Sequence, residues 1–170
     1  PEERLGRGAV PHMTLADNAL LTGHAQGLLR RGLIDRAKAS GLARRIIEVF
    51  RVKCTGPAAL ARSLSGGNLQ KFIVGREMGL ASRVLIVSQP TWGVDIAAAA
   101  FLRQSLIDLS RRGTAILVIS EELDELFEIC DRIAVMYRGR LSEPMPRAAA
   151  TVEMIGLLMA GIGGSVEAAA

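Results

Sequence analysis

The chain has 170 residues, 49% hydrophobic and 22% charged, which suits a packed domain and excludes a disordered polymer. No apolar run reaches the roughly 20 residues needed to span a bilayer, and Pro1-Glu2-Glu3-Arg4 has no signal-peptide pattern, so a soluble chain is expected. The net charge of +4 is uneven, with 14 basic and 6 acidic side chains in residues 1–83 against 7 and 11 in 84–170, yet scattered arginines with few interleaved aromatics argue against nucleic acid.

Residues 1–13, rich in Gly, Pro and charge, are expected to form a loop. Thr14, with Asp17 three residues later, makes a weak capping box for a short helix through Leu20 and Leu21 that Gly23 ends. Asp35 caps a second helix, in which Ala39, Leu42, Ala43, Ile46, Ile47 and Phe50 recur at spacings of three and four; Arg44, Arg45 and Arg51 fall on its solvated face. His12 and His24 have no partner ligands at usable spacing, and Cys54 and Cys130 fit no metal or C-x-x-C pattern, so no metal site is expected. Cys130 follows Leu123, Leu126 and Phe127 at helical spacing and reads as a small core residue.

The next stretch, Leu64-Ser65-Gly66-Gly67-Asn68-Leu69-Gln70-Lys71, carries the chemistry. Ser65 is a good N-cap, so a helix can start at Gly66 with its first backbone N–H groups free to meet an anion. Gly66 and Gly67 each cost a helix about 1 kcal/mol relative to alanine, an odd choice unless something must approach the main chain closely. The plainer alternative is a Ser-Gly-Gly turn leading into a helix. The helix is expected from Gly66 to about Leu80, burying Leu69, Phe72 and Ile73 and leaving Lys71 and Arg76 to solvent or to phosphate; Gly75 within it either permits close packing or weakens it.

Val84 to Val87 show no polar alternation, which fits a parallel strand buried on both faces. After the turn Ser88-Gln89-Pro90-Thr91-Trp92-Gly93-Val94, Asp95 opens a helix with an apolar face of Phe101, Leu102, Leu106 and Leu109, ended by Arg111-Arg112-Gly113. A strand Ala115–Ile119 follows, and Ser120 is expected to cap a helix starting at Glu121-Glu122, an alternation that argues for a parallel α/β sheet. Ile133 to Tyr137 turns at Arg138-Gly139 into a return strand, Arg140 to Glu143; an amphipathic piece, Val152 to Ala160, precedes a Gly/Ala-rich end expected to be loose.

The octapeptide resembles the signature of ATP-binding cassette (ABC) transporters, LSGGQ followed by Gln and Arg or Lys, with Asn68 in place of the usual final Gln. Val84–Val87 and the turn to Asp95 resemble that family's Walker B strand and D-loop, in the family's order. The resemblance implies an α/β, P-loop NTPase fold truncated to its C-terminal part: a parallel sheet with flanking helices, a helical subdomain, and no P-loop strand, since G-x-x-x-x-G-K-[ST] occurs nowhere in the sequence. Because the chain does not begin with Met and its first residues read like the middle of a domain, it is expected to be a fragment or a truncated product. The implied divisions are residues 1–13 as a Q-loop-like segment, 14–80 as a helical subdomain with the signature helix, 81–161 as the C-terminal part of the ATPase core, and 162–170 as a tail.

By the same resemblance, Ser65, Gly66, Gly67, Asn68 and Asp95 belong to a nucleotide site, and Glu2 stands where the Q-loop has Gln. A glutamate there repels phosphate unless protonated or bridged by a cation; the alternative is a solvated charge. Ser88 takes the place of an Asp that holds Mg²⁺ through water, Gln89 that of the Glu that activates the attacking water, and Glu121 that of the switch His. None is competent: a serine brings no charge, an amide takes no proton at neutral pH, and loss of a general base typically costs about 10² to 10⁴ in rate. Glu121 and Glu122 are equally well explained as acids in a first helical turn.

The implied function is an ATP-binding, energy-coupling subunit of an importer of nucleosides or sugars. This half would supply its signature loop in trans, with ATP and Mg²⁺ held through an N-terminal ABC half or second ATPase domain. It would work with transmembrane permease subunits at the cytoplasmic face of the membrane, and alone it would be inactive. Two rival readings stand beside this one. One is a truncated, non-catalytic module that docks on a membrane subunit; the other is a soluble ABC protein acting on nucleic acid or ribosomes.

Overall fold

A computed structural model describes residues 3–23, 27–30, 33–80 and 83–162. Glu2, His24 and the expected tail from residue 163 onward lie outside the described residues. The chain divides into two units, Pro1–Ile119 and Ser120–Ala170.

In the first unit, α1 (Leu15–Gly23) begins as expected. Thr14 Oγ1 accepts from the Asp17 backbone N–H at 3.1 Å and donates to the Asp17 carboxylate at 2.6 Å. Asn18 is fully buried and fully bonded: its Oδ1 accepts from Val10 N–H, and its Nδ2 donates to the carbonyls of Val10, Met13 and Thr14. That one side chain shapes the loop before α1. A small antiparallel hairpin follows, β1 (Leu29–Arg30) with β2 (Leu33–Ile34), which the sequence does not announce because two-residue strands carry no periodicity. Asp35 then caps α2 (Arg36–Val49), accepting from Lys38 N–H at 3.0 Å, and Ala39, Ala43, Ile46 and Phe50 are buried.

The helix α3 (Gly66–Leu80) packs against α1, α2 and α4 (Ile96–Arg111). Because neighbours surround it, the expected exposure to solvent is not found: Lys71 and Arg76 are buried, at 8% and 5% exposure. Backbone carbonyls satisfy them. Lys71 Nζ donates to Arg51 O at 2.9 Å, while Arg76 donates to Gly8 O at 2.8 Å and Asn18 O at 3.3 Å and pairs with Glu77. Gly75 serves close packing, since a Cβ there would stand 2.5 Å from Phe50 Cδ2; the Phe50 ring is itself set edge-on against Phe101, centroids 5.6 Å apart.

β3 (Val84–Ser88) and β4 (Ala115–Ile119) pair in parallel, in register from Val84↔Ala115 to Ser88↔Ile119. The expected burial on both faces is not found. Leu85 and Val87 are buried, but Val84 and Ile86 are 62% and 64% exposed. A strand alternates its side chains between faces, and only one face of this sheet is covered among the described residues. α4 starts at Asp95, whose carboxylate accepts from Ala98 N–H at 2.8 Å, and ends before Gly113 at φ +95°.

In the second unit α5 (Leu123–Ile129) begins two residues later than expected. Ser120 Oγ accepts from Glu122 N–H at 3.1 Å, a local turn that holds Glu121 and Glu122 outside the helix, with Glu122 at its cap position. Ile133, Val135, Ala150 and Ile155 form the core, with Leu126, Phe127 and Cys130 packed on it. β5 (Arg132–Ile133) pairs with β8 (Met145–Pro146), and β6 (Met136–Tyr137) with β7 (Arg140–Leu141). The β6–β7 turn is the expected Arg138-Gly139, at φ +46° and +77°, the positive pair whose twist suits a two-residue hairpin. Thr151 caps α6 (Val152–Met159) through Met154 N–H. Among the described residues no helix is long and apolar enough to cross a membrane.

Candidate functional site

One concave pocket of about 390 Å³ gathers most of the residues singled out from the sequence. Ser65, Gly66, Gly67 and Asn68 line it at the start of α3, Gly93 and Asp95 line it from the turn into α4, and Lys53 and Lys71 complete it.

The start of α3 is built as its residues dictate. The Ser65 carbonyl accepts the first helical bond, from Leu69 N–H at 2.9 Å, so Ser65 is the residue at the cap. Its hydroxyl accepts from the Asn68 side-chain amide at 2.9 Å, and Asn68 Oδ1 in turn accepts from Lys53 N–H at 2.9 Å. First-turn N–H groups have no carbonyl within their own helix to bond, so this end presents donors and the positive end of the helix dipole.

Gly67 also serves a close contact between main chains. A Cβ on Gly67 would stand 3.0 Å from Gly93 O, and one on Gly66 would stand 2.7 Å from Arg4 Nη1. The chain from Gly93 therefore runs against the start of α3.

Arg4, absent from the sequence-based candidates, organises this junction. Its Nε donates to Gln70 Oε1 at 3.1 Å, its Nη2 donates to the Trp92 carbonyl, and its guanidinium lies 5.3 Å from the centroid of the Trp92 ring. Burial lowers the Arg4 pKa from its ordinary value. Gln70, also absent from the candidates, donates through Nε2 to the carbonyls of Gln89 and Pro90 at 3.1 and 3.0 Å. Gln70 lies in the signature-like octapeptide, but no sequence pattern pairs it with Arg4, 66 positions away.

The charges in the pocket are mixed. The Asp95 carboxyl is held below the usual carboxylate range, chiefly by the bond from Ala98 N–H; partial desolvation opposes this, and Lys71 and Lys53 lower it further. Asp95 is thus an anchored cap, and Lys53 and Lys71 give the lining its positive side.

Ser88 and Gln89 sit at the end of β3, outside the pocket lining. Gln89 lies at φ +49°, its N–H donating to Ile119 O at 2.8 Å while its carbonyl receives Gln70. A hydroxyl and an amide supply no negative charge, so the pair does not fit a divalent cation as an acidic pair would. Glu121 belongs to the second unit, and Glu2 lies outside the described residues.

The fold is shared with known nucleotide-binding proteins. The ATP-binding cassette MJ0796, in a dimeric post-hydrolysis state bound to ADP and Pi, matches with a TM-score of 0.70 over 84% of this chain and 61% of that one, at 17% identity. The chain therefore has the α/β fold of the ABC ATPases. Within that class it is 41% identical over 162 residues to the nucleoside import ATP-binding protein NupA of Lactococcus lactis subsp. cremoris (strain MG1363), covering 95% of this chain and 32% of the relative. It is 38% identical over 161 residues to the ribose import ATP-binding protein RbsA 1 of Rubrobacter xylanophilus, covering 94% and 32%. The chain is a relative of the ATP-binding proteins of sugar and nucleoside importers, and spans about a third of the length of the curated relatives it matches. No family model matches the sequence.

Proposed function

We propose that the chain is part of an ATP-binding, energy-coupling subunit of an ABC importer for nucleosides or sugars, and that its pocket covers an ATP held by another ATPase domain. The observation that carries this is the convergence of Ser65, Gly66, Gly67, Asn68 and Asp95 on one pocket with Lys53 and Lys71. Donors, a helix N-terminus and two cations suit an anionic oxygen, while the sequence holds no G-x-x-x-x-G-K-[ST] loop to cradle the inner phosphates. A head-to-tail partner, an N-terminal ABC half or second ATPase domain, supplies that loop together with Mg²⁺ ligands and a general base.

The chemistry of the two composite sites is then unequal. The site completed by Ser65 through Asn68 turns ATP over, and the one built on Ser88 and Gln89 holds nucleotide at most. Permease subunits receive the resulting motion at the cytoplasmic face of the membrane, and this chain by itself is inactive.

The test is ATP turnover by the assembled transporter that contains this chain. Gly66→Asp places a carboxylate where the phosphate is to be met and is expected to abolish transport-coupled hydrolysis. Gln89→Ala is expected to change it little, and a Gln89→Ala protein without turnover would overturn the proposal.

A further inference from the structure

The direction of the hydrogen bond that Ser65 offers to the pocket is set from behind it. Lys53 N–H meets Asn68 Oδ1 at 2.9 Å, and because a backbone N–H only donates, the atom facing it is the amide oxygen. That fixes the rotation of the amide. The nitrogen is turned toward Ser65 and donates to Oγ at 2.9 Å. A hydroxyl that accepts on that side keeps its own hydrogen for another direction, and Ser65 lines the pocket beside Lys53 and Lys71.

From this we infer that Asn68 is a positioning residue: through the Lys53–Asn68–Ser65 chain it holds the Ser65 hydroxyl as a donor into the pocket, matched to an anionic oxygen such as a terminal phosphate. The inference rests on the reading of the pocket as a nucleotide-covering site and adds how that site is polarised. Asn68 need not touch the nucleotide to act. It removes the alternative in which the hydroxyl donates into its own protein and presents lone pairs to the phosphate.

Asn68→Asp reverses this arrangement with almost no change of shape. One carboxylate oxygen still accepts from Lys53 N–H, so the local fold keeps that bond. The other can only accept, and the Ser65 hydroxyl turns inward to donate to it. The added charge also acts on the phosphate directly, so the two effects must be separated by a double-mutant cycle on Ser65.

The experiment measures kcat and KM for ATP in the assembled transporter with Ser65→Ala, Asn68→Asp and both. Ser65→Ala is expected to lower kcat by about tenfold or more, as loss of a preorganised donor does. Asn68→Asp alone is expected to lower it at least as much, with KM moving less than about threefold because the partner domain holds the nucleotide. In the double variant the loss should fall well short of the product of the two single losses, since most of the Asn68→Asp effect runs through a hydroxyl that is no longer there. Losses that multiply would overturn the positioning role while leaving the pocket's function standing. Unchanged turnover in Ser65→Ala would overturn both.

Discussion

Arg4 Nε donates to Gln70 Oε1 at 3.1 Å, joining the loop before α1 to the helix that opens the pocket. The other end of the same Gln70 amide donates to Gln89 O and Pro90 O. One buried amide therefore ties three segments together: the N-terminal loop, the start of α3 and the turn after β3. The pocket walls are two of these, so the Gln70 amide, with Arg4 behind it, helps to set their spacing alongside the close approach of Gly67 to Gly93.

Arg4→Ala leaves the buried Gln70 oxygen without its donor. Such a loss costs about 1–3 kcal/mol, and the urea midpoint is expected to fall with an unchanged slope. Arg4→Lys is expected to recover only part of it, because an ammonium cannot span Gln70 and Trp92 as a planar guanidinium does.

Gly75→Ala sets two effects against each other. Alanine gains about 1 kcal/mol of helix propensity, but its Cβ would stand 2.5 Å from the Phe50 ring, which Phe101 backs. Overpacking costs about 1–3 kcal/mol and wins, so thermal unfolding is expected at lower temperature. Phe50→Leu on the Gly75→Ala background should restore part of the loss.

Asp95 gives the first unit an acid-sensitive cap. Its folded pKa lies below the unfolded value of about 3.9, so its contribution is present above that pH and is lost as pH falls through the folded value. Asparagine caps as well as aspartate but does not titrate. Asp95→Asn is therefore expected to flatten the dependence of unfolding free energy on pH between about 5 and 2, measured by denaturant titration.

Cys130 is expected to be slow toward alkylating reagents. Burial pushes its thiol up, with Glu125 and Asp131 adding to the shift, so at pH 8 the native chain holds less thiolate there than the unfolded chain does. Iodoacetamide labelling followed by mass spectrometry should show Cys130 reacting more slowly in the native state than in urea.

The caps were legible in the sequence, because Thr14, Asp35 and Asp95 act through bonds to residues three positions away, and Ser65 through Asn68 stand out by type; the pocket also needs Lys53 and Gly93, which no local pattern brings to the start of α3. What could not be read involves distance. Lys71 and Arg76 look like surface cations on α3, and only the packing of three helices around it, with carbonyls of Arg51, Gly8 and Asn18 brought to their heads, explains their burial. The apolar run of β3 suggested cover on both faces, yet cover depends on what lies over the sheet, which the strand itself does not encode. Ser120 misled locally: its hydroxyl bonded two residues on and delayed α5.

The most direct measurement is the number of nucleotides trapped by vanadate with Mg²⁺ and ATP in the assembled transporter. With one working site, completed by Ser65 through Asn68, a single ADP is expected per pair of ATPase domains, and Gly66→Asp should abolish its trapping. Two trapped nucleotides per pair, or undiminished trapping in Gly66→Asp, would contradict a pocket that covers the working ATP.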